Sequence, residues 1–276
     1  MKRPKALVVT GYGLNCDYET HYALELAGAE AERVHINRLI GIGGKKVSLL
    51  DYQIFVLGGG FSWADDHGAG VLMANKLRKY LGEEISTFLR EGGLAMGICN
   101  GFQGFVNLGL LPGLKGDYNS RKVALIGNDR GNFIDIWVKL RVNPQSPCVF
   151  TKGIECLELP VRHAEGKFYA EEETIREILD NNQVVLTYAL SEREDAHGLW
   201  PYNPNGSLMD IAGICDSTGR VFGLMPHPEA FNHFTNHPLW TYRMEGFRRG
   251  IFGDPAKEPT GIQIFQNAVK FVKENL

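Results

Sequence analysis

Gly93-Leu94-Ala95-Met96-Gly97-Ile98-Cys99-Asn100-Gly101-Phe102-Gln103 decides how the rest of this 276-residue chain is read. The stretch begins as a short apolar run and breaks at a glycine. It presents one cysteine, then passes a second glycine into a helix-like pattern. That spells strand, sharp turn, helix, with Cys99 on the turn. Glycines two residues to either side of the cysteine are what a nucleophile elbow needs, because a side chain there would collide with the neighbouring strand or helix. The thiol would stand at a helix N-terminus, where the positive end of the dipole favours thiolate over thiol. The plain alternative is a buried cysteine acting as a small hydrophobe. A catalytic reading therefore needs a base and an oxyanion hole from elsewhere in the chain.

The bulk numbers are those of an ordinary water-soluble globular protein, with 44% apolar and 22% charged residues. A net charge of −3 without a basic cluster argues against a nucleic-acid surface. No apolar run approaches the roughly 18 residues of a membrane span. The N-terminus, Met1-Lys2-Arg3-Pro4-Lys5, is basic, but the apolar run behind it, Ala6 to Val9, is too short for a signal peptide. Cys16, Cys99, Cys148, Cys156 and Cys215 are odd in number and lack C-x-x-C spacing. Disulfides and zinc are not expected, and a reducing cytoplasm fits.

Outward from the elbow, Ala6 to Thr10 is a continuous apolar run, as a buried parallel strand should be. It empties into Gly11-Tyr12-Gly13-Leu14-Asn15-Cys16-Asp17. The third glycine of a dinucleotide fingerprint is Cys16 here, so the segment reads as a turn with Asn15 or Asp17 capping the next helix. That helix runs from Tyr18 to Ala27 and stops at Gly28. Glu32 to Ile36 reads as a strand, Gly41 to Lys46 as a loop, and Tyr52 to Leu57 as a third strand. The third strand ends at Gly58-Gly59-Gly60-Phe61-Ser62, three glycines that are costly unless the backbone must approach something closely; the plain alternative is a flexible loop. Such a turn can aim a backbone N–H at a developing oxyanion. Ala69 to Arg90 reads as a helix broken near Gly82, and the helix after the elbow closes at Gly109.

Residues 117–131 read as polar and irregular. Phe133 to Val142 alternates apolar and polar residues, which predicts an antiparallel or edge strand. Leu157 to His163, Val184 to Ala189, Ile211 to Cys215 and Val221 to Met225 read as further strands. The last runs into Pro226-His227-Pro228-Glu229. The prolines predict an extended segment, in which residues two apart point the same way, so Glu229 reaches the imidazole of His227. That supplies a base and its orienting group. About 230 to 259 reads as irregular and rich in aromatics, histidine and arginine. Thr260 to Asn275 closes the chain as a helix with Ile262, Phe265, Val269 and Val272 on one face. His227, His233 and His237 sit on no regular element that would fix a metal geometry. Without repeats or low-complexity linkers, 1–276 is expected to be one domain, with 230–259 as an insertion.

The Cys elbow, the glycine-rich strand end and the His-x-Glu pair resemble the class I (triad) glutamine amidotransferases. Within that class several segments are similar to the glutaminase subunits of phosphoribosylformylglycinamidine synthases. They are Asn15-Cys16-Asp17, Gly59-Gly60-Phe61-Ser62, Cys99-Asn100-Gly101-Phe102-Gln103, Gly109-Leu110-Leu111-Pro112-Gly113, His163-Ala164-Glu165-Gly166, Asp210-Ile211-Ala212-Gly213 and Met225-Pro226-His227-Pro228-Glu229. Departures are Gly58 for the usual proline, Trp63-Ala64-Asp65-Asp66-His67 for a Tyr-Gly-Asp-Tyr run, and Ala164 for glycine. The resemblance implies an α/β, flavodoxin-like, open and mostly parallel sheet flanked by helices. It implies Cys99, His227 and Glu229 as triad, Gly59 and Asn100 as oxyanion hole, and Gln103, Phe61, His163 and Glu165 on the glutamine substrate. It implies no cofactor and no metal in this chain. ATP and Mg would be used by a synthetase subunit of the same complex, with a small accessory subunit as a further partner; neither nucleic acid nor membrane is implied. Two rivals from the residues alone are a free-standing cysteine hydrolase, such as a γ-glutamyl hydrolase or peptidase, and a non-catalytic binding module.

Overall fold

In this computed structural model, which describes residues 2–258 and 260–276, β1 (Lys5–Thr10), α1 (Asp17–Leu26), β2 (Glu30–His35), the one-turn α2 (Ile36–Leu39), β3 (Ile54–Leu57), α3 (Val71–Arg90), β4 (Leu94–Ile98) and α4 (Asn100–Leu108) follow in order. The second half supplies β5 (Val123–Gly127), β6 (Ile134–Val142), β7 (Cys156–His163), β8 (Glu165–Ala170), α5 (Glu172–Asp180), β9 (Val184–Ser191), the two-residue β10 (Glu194–Asp195), β11 (Ile211–Cys215) and β12 (Val221–Leu224). Helices α6 (Trp240–Arg248) and α7 (Ile262–Asn275) close the chain.

The main sheet runs β2-β1-β3-β4-β12-β11-β9-β6-β7, and β5 pairs with β8 in a separate ribbon. Strands β2, β1, β3, β4 and β12 pair in parallel. This is the doubly wound order of flavodoxin-like sheets, with β12 in the fifth place. Strands β11, β9, β6 and β7 extend it in antiparallel fashion. The expected open, mostly parallel sheet flanked by helices is present, with an antiparallel wing added. Every residue of β3, β4 and β12 is buried. Strands covered on both faces need unbroken apolar runs, and these have them. Helix α7 buries Ile262, Phe265, Val269 and Val272, the expected face, and packs against α1. Among the described residues no helix is long and apolar enough to cross a membrane.

Five local expectations are corrected. Helix α3 is continuous through Gly82, because one interior glycine costs only about 1 kcal/mol and the buried face of Met73, Ala74, Leu77, Leu81, Ile85, Phe88 and Leu89 outweighs it. Neither Asn15 nor Asp17 caps α1; the N-cap is Cys16, without a side-chain cap, and Asp17 instead pairs with Arg33 at 2.8 Å. The 117–131 segment contains β5, whose Val123 and Leu125 alternate inward against β8. The 230–259 segment contains α6, whose apolar residues are mostly exposed and so carry no helical period. Lastly, the Pro226–Glu229 segment is not extended throughout, as described below. Met1 of the basic N-terminus and Pro259, the last residue of the insertion, lie outside the described residues.

Candidate active site

Cys99 stands between the last residue of β4 and the first of α4, at φ 51° and ψ −108°. A residue other than glycine held there costs about 1–3 kcal/mol, which the surrounding packing must offset. The packing explains the flanking glycines. A Cβ on Gly101 would lie 1.9 Å from the Leu57 carbonyl oxygen, and one on Gly97 would lie 2.7 Å from the Gly101 carbonyl oxygen. The chain can therefore turn this sharply only where both side chains are absent. The Cys99 thiol donates to the Arg162 carbonyl at 3.6 Å, so the end of β7 also borders Cys99. Asn100 opens α4, where the first N–H groups of a helix have no partner within it.

His227 and Glu229 follow β12, the neighbour of β4. The His227 backbone is extended (φ −106°, ψ 90°), but Pro228–Ala230 forms a 3-10 turn. The turn, rather than a continuing strand, swings Glu229 back onto the imidazole. Pro228 starts it because its fixed φ suits the first helical position. Glu229 Oε1 lies 2.6 Å from His227 Nδ1, and both side chains are almost wholly buried. Burial alone would lower the imidazole pKa. The Glu229 carboxylate, followed by Cys99, outweighs it, and His227 is held well above the usual histidine range. A short contact at Nδ1 leaves Nε2 to face the chemistry.

Gly59 sits at the end of β3. A Cβ there would lie 2.6 Å from His227 Cε1 and 3.2 Å from Cys16 Sγ. Cys16 is a neighbour that the residues alone placed only in a helix-capping segment. Its thiol pKa is raised, by burial first, with His227 opposing. Donor atoms of Cys16, His227 and Glu229 all fall within 4.8 Å of one another, the one such cluster among the described residues. The Glu229 oxygen and His227 nitrogen in it already meet each other. His233 and His237 are occupied elsewhere: His233 caps a turn, and His237 lies 3.0 Å from Glu158.

Next to Cys99 lies a polar strut. Asn100 accepts from the Ser62 N–H at 3.1 Å and donates to Asp65 at 2.9 Å and to Gln103 Oε1 at 3.0 Å. Gln103 in turn donates to the Glu165 carbonyl at 2.7 Å, and Glu165 Oε2 accepts from the Ala69 N–H at 3.3 Å. Gln103 is thus brought to the site buried, bracing Asn100 against the start of β8. Phe61 is half-exposed at the rim, its ring 6.1 Å from that of Phe133. Trp63, Ala64, Asp65 and His67 all have positive φ, in the loop that supplies Asp65 to this strut. Burial pushes the Asp65 carboxyl up to about 6; hydrogen bonds from Asn100 and Gly70 oppose the rise, and Glu165 adds to it. His163 is buried at the end of β7, its Nδ1 3.1 Å from Asn128 Oδ1. Nothing in the sequence singled out Asn128 or Tyr188, and Asp65 stood out only as part of the departing Trp63–His67 run. Tyr188 is fully buried, its pKa raised by burial and by Cys99. Only tertiary contact links any of these three to the site.

A family model described as the CobB/CobQ-like glutamine amidotransferase domain matches residues 3–272. The chain is 46% identical over 268 residues to the phosphoribosylformylglycinamidine synthase subunit PurQ of Methanococcus maripaludis, covering 97% of each. It is 45% identical over 274 residues to the subunit of that name from Dehalococcoides mccartyi, covering 99% of this chain and 100% of the relative. Among solved structures it is similar to a chain of PurLQS from Thermotoga maritima, with TM-score 0.66 and 31% identity over 98% of this chain and 100% of that one.

Proposed function

This chain belongs to the CobB/CobQ-like glutamine amidotransferase domain family, and from that premise we propose that it is the glutaminase subunit of a phosphoribosylformylglycinamidine synthase. The observation that carries the reading is the strained Cys99 facing a buried His227–Glu229 pair, in a chain matching PurQ relatives from end to end. Cys99 sulfur attacks the side-chain carbonyl carbon of glutamine, and His227 takes the thiol proton. The oxyanion is held by the N–H groups of Asn100 and Gly59, each worth about 3 kcal/mol of barrier. His227 returns its proton to the amide nitrogen as the C–N bond breaks, leaving a thioester and ammonia. It then takes a proton from the water that hydrolyses the thioester to glutamate. Glu229 holds the tautomer and supports the imidazolium. Gln103, Phe61, His163 and Glu165 border the glutamine substrate.

Ammonia is useful only if it reaches an acceptor. One relative of known structure is a chain of PurLQS. We assign this chain the same company: a synthetase subunit that uses ATP and Mg to convert formylglycinamide ribonucleotide to its amidine, and a small accessory subunit. The reaction belongs in the cytoplasm, where five free thiols stay reduced. The whole chain acts as one domain, since α7 returns after the 230–259 insertion to pack on α1. The test is Cys99→Ala in the reconstituted complex. Glutamine-dependent synthesis is expected to disappear while ammonia-dependent synthesis persists. Loss of both would make Cys99 structural, and unchanged glutamine-dependent synthesis would remove it from the mechanism.

A further inference from the structure

His163 is a buried imidazole for which the triad has no use. Asn128 stands behind it with a fixed orientation. Its Nδ2 donates to the Asn132 carbonyl at 3.1 Å and to the His163 carbonyl at 2.8 Å. Its Oδ1 must then be the atom that faces His163 Nδ1, and an amide oxygen only accepts. Nδ1 therefore carries the ring proton, and Nε2 is left as a lone pair. That Nε2 is buried and has no hydrogen-bond partner. The ring cannot slide away, because Gly166 lies against it where a Cβ would stand 2.6 Å from Nδ1. Burial, then the charge on His227, holds the His163 pKa down to about 3. At neutral pH the ring stays uncharged and accepts.

The neighbour in sequence, Arg162, turns its carbonyl to the Cys99 thiol at 3.6 Å. The end of β7 thus brings one acceptor, Arg162 O, against Cys99, and holds a second, the unpartnered His163 Nε2, buried on the next residue. Gly59 and Asn100 bring two N–H donors. A glutamine amide has the matching polarity: its oxygen wants donors, and its nitrogen carries two hydrogens that want acceptors.

We infer that His163 Nε2 receives the leaving group, accepting a hydrogen bond from the amide nitrogen and then from the ammonia it becomes. No proton changes hands at this step: the C–N bond breaks with a proton from His227, and His163 only holds the neutral product. Because the ring is so weak a base, it neither competes for that proton nor supplies one that would make ammonium, which is not a nucleophile. The inference rests on the glutaminase reading above and assigns His163 to the leaving group rather than to the amino-acid end of the substrate.

The experiment is done in the complex with the synthetase subunit, measuring amidine formed per glutamate released. His163→Phe keeps the ring and removes the acceptor. Glutamate release is expected to stay within about tenfold of wild type, the scale of one hydrogen bond, while the ratio falls well below unity. Ammonia-dependent synthesis is expected to be unchanged. His163→Gln restores an acceptor and should recover much of the ratio. A ratio of unity in His163→Phe would overturn the inference, as would a His163→Gln as leaky as His163→Phe. A wild-type complex without glutamine-dependent synthesis would instead sink the glutaminase reading itself.

Discussion

The strand-end site and the 230–258 insertion are joined directly, since Phe231 follows Glu229 by two residues, yet they are built on opposite terms. At the site, backbone meets backbone. Gly59, Gly97 and Gly101 lie where a Cβ would strike a ring or a carbonyl, and Cys99, His227 and Glu229 are all buried. In the insertion, long side chains meet other side chains. Arg243 pairs with Glu158 of β7 and with Glu258, and His237 also reaches Glu158. Tyr242 is 63% and Ile251 67% exposed. A groove of about 680 Å³ lies between the insertion and β6–β7, lined by Leu140, Phe231, Tyr242 and Phe252 among others. The difference shows where this molecule tolerates change. Close backbone approach admits one residue type, whereas adaptable side chains admit many.

Three substitutions test that contrast, beyond those at Cys99 and His163. The largest effect belongs to Gly59→Ala. The new methyl group would displace the His227 ring and tilt an oxyanion donor, so glutaminase turnover in the complex should fall by about 10²-fold or more. A loss under about threefold would show that the ring moves freely and that the close approach is not needed. Next is Arg243→Ala, which removes the tie between insertion and edge strand. The expected result is a melting temperature lower by about 2–4 °C, with turnover unchanged; a catalytic defect as large as that of Gly59→Ala would erase the distinction between the regions. Smallest is Gly253→Ala in the insertion, where a Cβ meets nothing within 4 Å and φ is not in the left-handed region. Calorimetry should find it neutral or stabilised by about 0.4–1 kcal/mol through a less disordered unfolded chain. A clear destabilisation there would mean that the insertion is packed as tightly as the site.

The same contrast explains what could be read from residues alone. Gly97-Ile98-Cys99-Asn100-Gly101 announced the elbow because its sterics allow almost no other spelling. The His227–Glu229 pair was legible as chemistry even though its geometry was not: Pro228 opens a turn rather than prolonging a strand. Strand β5 was missed because a two-stranded ribbon buries only Val123 and Leu125 of its five residues. Helix α5 buries only Ile175 and Ile178, yet these two with Leu179 keep helical spacing, so this element was within reach of the residues alone. The brace of Asp65, Asn100, Gln103 and Glu165 joins three segments that only the folded sheet brings together. A neighbour such as Cys16 looks like turn punctuation until β3 is laid beside β1.

The pairing of β4 with β12 also sets the order in which the enzyme can come alive on the ribosome. Ala95 pairs with Val221, and His227 follows only after that strand. The elbow is therefore synthesised early, but its base emerges more than a hundred residues later. Domains fold as units and distant pairings close last. On the proposed mechanism, a nascent chain carrying Cys99 lacks His227 to accept its proton, so glutamine is safe from it until the polypeptide is nearly finished.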